Sequence, residues 1–186
     1  MTEPRFKTLT PESMTPEQRR VAEAIVKGPR AGMRGPFNAL LRSPALADKA
    51  QQLGEHVRFK TSLPPRLKEL AILVTARHWT AQYEWYAHNR LAREAGLDPT
   101  TCDAIAEGRE PTGVSAEETT VYEFCAELLA TTQVSDATFA KTRDRFGEAG
   151  VIELTVTCGY YSMVAMVLNV DRHPLPADAV PLKAVK

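Results

Sequence analysis

Cysteine is scarce in this 186-residue chain: Cys102, Cys125 and Cys158 are odd in number, widely spaced and without a C-x-x-C. That excludes a disulfide framework and a cysteine-based zinc site, and leaves buried free thiols as the expectation. Histidine is almost as rare, with four residues and no H-x-x-x-H or H-E-x-x-H, so no spacing supports a metal site built from His56, His78 or His88. Net charge is missing too. The 23 basic and 23 acidic residues cancel, and no run of five like charges occurs, which argues against nucleic acid and anionic membranes as partners. No apolar stretch approaches the roughly 20 residues that cross a bilayer, and MTEPRFKTLT lacks the apolar core of a signal peptide. A cytoplasmic protein is therefore expected.

What the chain does have is enough apolar content, 44%, for a sizeable core, and one domain over residues 1–186 is expected. Residues 1–14 read as an extended lead-in and 171–186 as a proline-rich extended tail. Between them the signals are helical. Thr15-Pro16-Glu17-Gln18 forms a capping box with proline at the first helical position, ahead of a stripe of Val21, Ala22 and Ile25. The loop RAGMRGPFNALLRSP is broken by Gly32, Gly35 and Pro36 yet keeps Met33, Phe37 and Leu40 apolar, as a loop lying over something buried would. Ser43-Pro44 opens a helix with Leu46, Ala50, Leu53 and Val57 in register.

Ser62 is placed to cap a central helix from Pro64-Pro65 that is apolar nearly all round, and Thr80 to cap the next one, which ends at Gly96. Asp98-Pro99 to Gly108, Ser115 to about Thr131, and Ser135 to about Gly147 give three more helices. The last runs from about Gly150 to Asn169. Seven or eight helices without a convincing alternating strand predict an all-α fold. A weak internal repeat appears when Glu69 is set beside Glu153, so that Ala81 falls on Ala165 and Leu168 on Glu84.

The chemical signal lies in LPPRLKELAILVTARHWTAQYEWYAHNRLAREAG. Glu84 and His88 are four apart on one helix face, and Glu69 sits on the preceding apolar helix, where an unpaired carboxylate is costly. Together they supply groups that exchange protons near neutral pH. The plainer alternatives are an i,i+4 pair on a solvated face, and a salt bridge from Glu69 to Arg66 or Arg77. Tyr83, Trp79, Trp85 and Phe37 are core or interface residues on that plainer reading, and Tyr160-Tyr161 fill the core.

GPFNALLRSP, SLPPRLKELAILVTARHWTAQYEWYAH and GVIELTVTCGYYSMVAMVLNV together resemble the carboxymuconolactone decarboxylase family, which shares a fold with alkylhydroperoxidase D. The resemblance runs from about Arg34 to Pro176. It implies a multihelical subunit, homo-oligomers (trimer or hexamer, with a dimer possible), a small-molecule substrate and no cofactor. The peroxidase branch uses E-x11-C-x-x-C-x-x-x-H; here Glu69 and His88 remain, while Ala81 and Glu84 stand where the cysteines would be. Thiol peroxidation needs a thiolate and a resolving thiol, so the decarboxylase branch is the better match. It implies loss of carbon dioxide from an unsaturated lactone acid through a dienolate, with His88 as the acid and Glu84 or Glu69 orienting it. Tyr83 and Arg77 would bind substrate oxygens, Trp79, Trp85 and Phe37 would wall the pocket, and Asn38 would give a hydrogen bond. Antioxidant peroxidase activity and a non-catalytic binding or scaffold role are the alternatives.

Overall fold

The computed structural model describes residues 3–177 and 179–184; the lead-in and tail expected at Met1, Thr2, Asp178, Val185 and Lys186 lie outside the described residues. Eight helices occur in the order α1 (Pro16–Lys27), α2 (Phe37–Leu40), α3 (Pro44–Phe59), α4 (Pro65–His78), α5 (Gln82–Glu94), α6 (Pro99–Ala106), α7 (Ala116–Thr131) and α8 (Asp136–Asp171). Among the described residues there is no strand, and the fold is all-α.

The starts are chemically specified. Thr15 and Gln18 close a capping box on α1, Ser115 and Glu118 close another on α7, and Ser135 and Asp98 accept from the first turns of α8 and α6. Two expected caps are not used. The N-cap of α4 is Pro64, and Ser62 instead donates its hydroxyl to Glu153 at 2.7 Å. The N-cap of α5 is Ala81, and Thr80 adopts a left-handed φ of 47° in the tight α4–α5 turn, where its hydroxyl accepts from Arg77. The expected break between the last two helices falls at Gly147, whose φ of 70° and ψ of 175° interrupt α8. Glycine reaches that region without a Cβ penalty.

α4 is the axis of the molecule, as its apolar circumference predicts. Every residue from Leu67 to Arg77 is buried, and the helix packs against α5, α7 and α8. Leu67, Leu70, Leu73 and Ala76 join Phe124, Leu154 and Leu97 in the largest core cluster, each leucine or phenylalanine contributing about 1.5–3 kcal/mol of burial. A second cluster fastens α1, α2 and α3 through Val21, Ile25, Phe37 and Leu41. The third joins Val57 and Ile72 to Tyr160, Tyr161, Val164 and Leu168 of α8.

α8 also corrects the sequence expectation about apolar runs. It is long and apolar enough to cross a bilayer, yet half of its most apolar window is buried inside the protein. Its apolarity is spent on the core.

The chain ends are tied down. Asn38 accepts from the Leu9 backbone and donates to the Phe6 carbonyl, while Asp171 accepts from the Arg5 and Phe6 amides through its backbone and side-chain oxygens. In the tail, Leu182 is buried against the main core, and its backbone pairs in both directions with the Gln82 side chain.

Candidate active site

The α4–α5 turn folds α5 back along α4, which sets His88 against Glu69 from the neighbouring helix. His88 Nδ1 and Glu69 Oε2 are 2.7 Å apart, and both side chains are buried. Of the two carboxylates expected beside the imidazole, Glu69 is therefore its hydrogen-bond partner. Arg66 and Arg77 are not partners of Glu69: Arg66 pairs with Glu117 and Glu118 of α7. The other face of the imidazole ring meets Tyr161 edge-on, with centroids 4.9 Å apart. A carboxylate on Nδ1 fixes the ring's orientation and turns Nε2 to the remaining side.

His88 lines a cavity of about 330 Å³. His88, Glu84 and Tyr83 border it from α5, Arg58 from α3, and Tyr160, Tyr161, Val164 and Leu168 from α8. Its cover is the glycine-broken loop, which supplies Arg30, Arg34, Gly35 and Phe37. Gly35 has φ of 66°, and a Cβ there would meet the Tyr83 ring at 3.4 Å, so the loop closes over the cavity through a residue without a side chain. The Arg30 guanidinium lies 5.1 Å from the centroid of the buried Phe37 ring and within 3.5 Å of the Tyr160 hydroxyl.

Glu84 differs from Glu69. It is 2% exposed, and neither carboxyl oxygen has a hydrogen-bond partner among the described residues. As the third residue of α5 it would usually reach back to the N-cap amide in a capping box, but the Ala81 amide is already bonded to the Ala76 carbonyl. Burial pushes the Glu84 carboxyl well above the usual carboxylate range. Burial likewise raises the phenols of Tyr160 and Tyr161, so both stay neutral donors.

Four residues expected at the substrate or its walls lie elsewhere. Arg77 donates to the carbonyls of Ala106 and Lys183 and the hydroxyl of Thr80, fastening the tail. Trp79 ends α4, stacks edge-on with the exposed His78 and takes Asn169 on its backbone carbonyl. Asn38 holds the lead-in, as described above. Phe37 and Tyr83 do border the cavity, although Tyr83 also packs edge-on against His173 of the tail, and Trp85 is part of the main core. Sequence reasoning missed Arg30, Arg58, Tyr160 and Tyr161. The one available signal was Gly54 in the middle of α3, where a Cβ would collide with the Tyr160 hydroxyl and the Arg30 guanidinium.

The cysteines do not line this cavity. Cys102, Cys125 and Cys158 are all buried and border none of its surface. A hydrogen bond with Cys158 and burial hold the Cys125 thiol well above its ordinary value, and burial raises that of Cys102. His56 and His78 are exposed on other helices, and among the described residues no three His, Cys, Asp or Glu side chains gather as a metal site.

Among the described residues seven helices accompany the buried α4, with a histidine–carboxylate pair at the α4–α5 hairpin, and the fold is all-helical. Residues 44–127, from the start of α3 into α7, match the carboxymuconolactone decarboxylase family. The match includes Glu69, Glu84 and His88 but stops short of the loop and α8 residues that complete the cavity. A solved structure from Ralstonia eutropha JMP134, described as an alkylhydroperoxidase AhpD core and an uncharacterized peroxidase-related protein, is similar in fold: TM-score 0.76 at 14% identity, over 96% of this chain and 95% of that one. No curated protein matches the chain.

Proposed function

We propose that this protein is a cofactor-free acid/base enzyme that decarboxylates, or moves a proton on, a small unsaturated carboxylic acid or lactone. The observation that carries this reading is the Glu69–His88 pair at 2.7 Å on the wall of a cavity of about 330 Å³. Arg30, Arg34, Arg58 and Arg90 around that cavity suit an anionic substrate. In the decarboxylation, the bond to the carboxylate breaks, carbon dioxide leaves, and the electron pair enters the conjugated system as a dienolate. His88 then delivers its proton to carbon and is reprotonated from water. Glu69 keeps the imidazole aimed through its hydrogen bond to Nδ1. The apolar side chains of Phe37, Val164 and Leu168 on the cavity wall favour loss of charge from the carboxylate.

A scaffold without chemistry predicts that the ionisable groups fail to converge; the shared cavity of Glu84 and His88, with Glu69 behind, supports the enzyme reading instead. Cysteine-based hydroperoxide reduction is the reading raised by the name of the structural neighbour, and the buried thiols, which do not line the cavity, do not support it. We further infer that the working form is a homo-oligomer. The apolar groove of Phe6, Leu40, Leu46, Met166 and Val170 offers surface for such assembly.

The experiment is loss of 4-carboxymuconolactone with purified protein, His88→Ala, and a variant with all three cysteines replaced by alanine. Turnover is expected in the wild type and the cysteine-free variant, and a loss of about 10²–10⁴-fold in His88→Ala. Full activity in His88→Ala would remove the histidine from the mechanism.

A further inference from the structure

Two buried polar groups on the same cavity wall lack protein partners. One is the Glu84 carboxyl, at both oxygens; the other is Nε of Arg30. An orphaned buried polar group costs about 1–3 kcal/mol, so two beside one cavity mark a place where a polar ligand would recover that loss. The two side chains come from separate parts of the chain, the covering loop and α5. The fold also clears room for one of them. Gly54 breaks the side-chain surface of α3 where Arg30 and Tyr160 pass, and no other residue type fits without displacing both.

We propose that Glu84 donates a hydrogen bond to a carbonyl oxygen of the ligand while Arg30 binds the ligand's carboxylate, so that the cavity selects a lactone or keto acid over a simple carboxylic acid. This rests on the cavity being the substrate site. Without a proton Glu84 is acceptor only, and would repel a carbonyl oxygen; with it, one O–H is available. Burial favours its protonated form despite the nearby cations. Its own helix contributes His88 and Tyr83, α3 contributes Arg58, the loop Arg30, α8 the neutral phenols of Tyr160 and Tyr161, and α4 contributes Glu69 through His88. Among the described residues none of them makes a hydrogen bond or ion pair to Glu84, and burial is the cause of its raised pKa. The division of labour follows. Arg30 carries a fixed charge that recognises an anion, and Glu84 reads the neutral oxygen, a contact that strengthens as that oxygen gains charge in a dienolate.

Two measurements test this. First, infrared difference spectra of wild type against Glu84→Gln at pH 7 are expected to show the C=O stretch of a protonated carboxylic acid only in the wild type; its absence there overturns the proposal whatever the substrate. Second, calorimetry compares muconolactone with its counterpart lacking the ring carbonyl. Wild-type protein is expected to prefer the lactone about three- to tenfold. Glu84→Leu should erase that preference while leaving affinity for the carbonyl-free acid unchanged, and Glu84→Gln, whose amide still donates, should keep part of it. Arg30→Leu should weaken both acids by at least about tenfold. A preference that survives Glu84→Leu overturns the subsite and leaves the proposed function standing. Failure of both acids to bind wild-type protein overturns the subsite and the proposed function together.

Discussion

A carboxyl group buried without a partner makes the folded state prefer its protonated form. For Glu84 this gives a pH dependence of stability with a definite sign. The folded pKa lies above the ordinary value near 4.5, so between the two the native state holds more protons than the unfolded chain. Stability therefore falls as pH rises from about 4.5 and stops falling only above the folded pKa. Glu84→Gln should remove that slope. Urea unfolding at a series of pH values should show the variant gaining on the wild type toward neutral pH; parallel curves would mean that Glu84 is ionised in the fold. At His88, Glu69→Gln keeps the shape but replaces the carboxylate that orients the ring. It should lower kcat more than it raises KM, and by less than His88→Ala does.

Among the elements, α3 and the tail lend themselves to test. Gly54→Ala gains about 1 kcal/mol of helix propensity, but the new methyl meets the rigid, buried Tyr160 ring, and overpacking costs about 1–3 kcal/mol. The clash wins. The variant should melt below the wild type and bind acids more weakly, because Arg30 shifts with Tyr160; an unchanged Tm with unchanged affinity would show that α3 yields freely. Leu182→Ala tests whether the tail is structural. Its side chain is 8% exposed and joins the main core, so a loss of about 2–3 kcal/mol in chemical unfolding is expected. A neutral result would show that the Gln82 and Arg77 bonds alone secure the segment.

At the scale of the molecule, zero net charge conceals a local imbalance. Arg30, Arg34, Arg58 and Arg90 face one cavity whose nearest carboxyl, Glu84, is held toward its neutral form. The field there is positive although the chain as a whole has none. Exposed charges are screened over about 10 Å at 0.1 M salt, so KM for an anionic substrate should rise with ionic strength while kcat holds steady. A salt-independent KM would confine recognition to the buried part of Arg30.

The helices, most of their caps and the burial of α4 could be read from the residues in order, because capping, proline placement and 3.6-residue periodicity act within a few positions of one another. The same local reading brought Glu69, Glu84 and His88 to notice. It could not choose the partner of His88, since Glu69 is distant along the chain and Glu84 is one turn away; packing of α5 on α4 decided for Glu69. It likewise placed Arg77, Trp79 and Asn38 at the substrate from their neighbourhood in sequence, although a helix sends consecutive side chains to different sides. Arg77 and Asn38 became clasps for the two chain ends. Arg30, Arg58, Tyr160 and Tyr161 came to the cavity from three segments that meet only when the loop, α3 and α8 close over α5. The sequence by itself determined which segments are helical and which residues carry protons; the tertiary structure alone decided which of them share a cavity, because that depends on contacts between residues far apart in the chain.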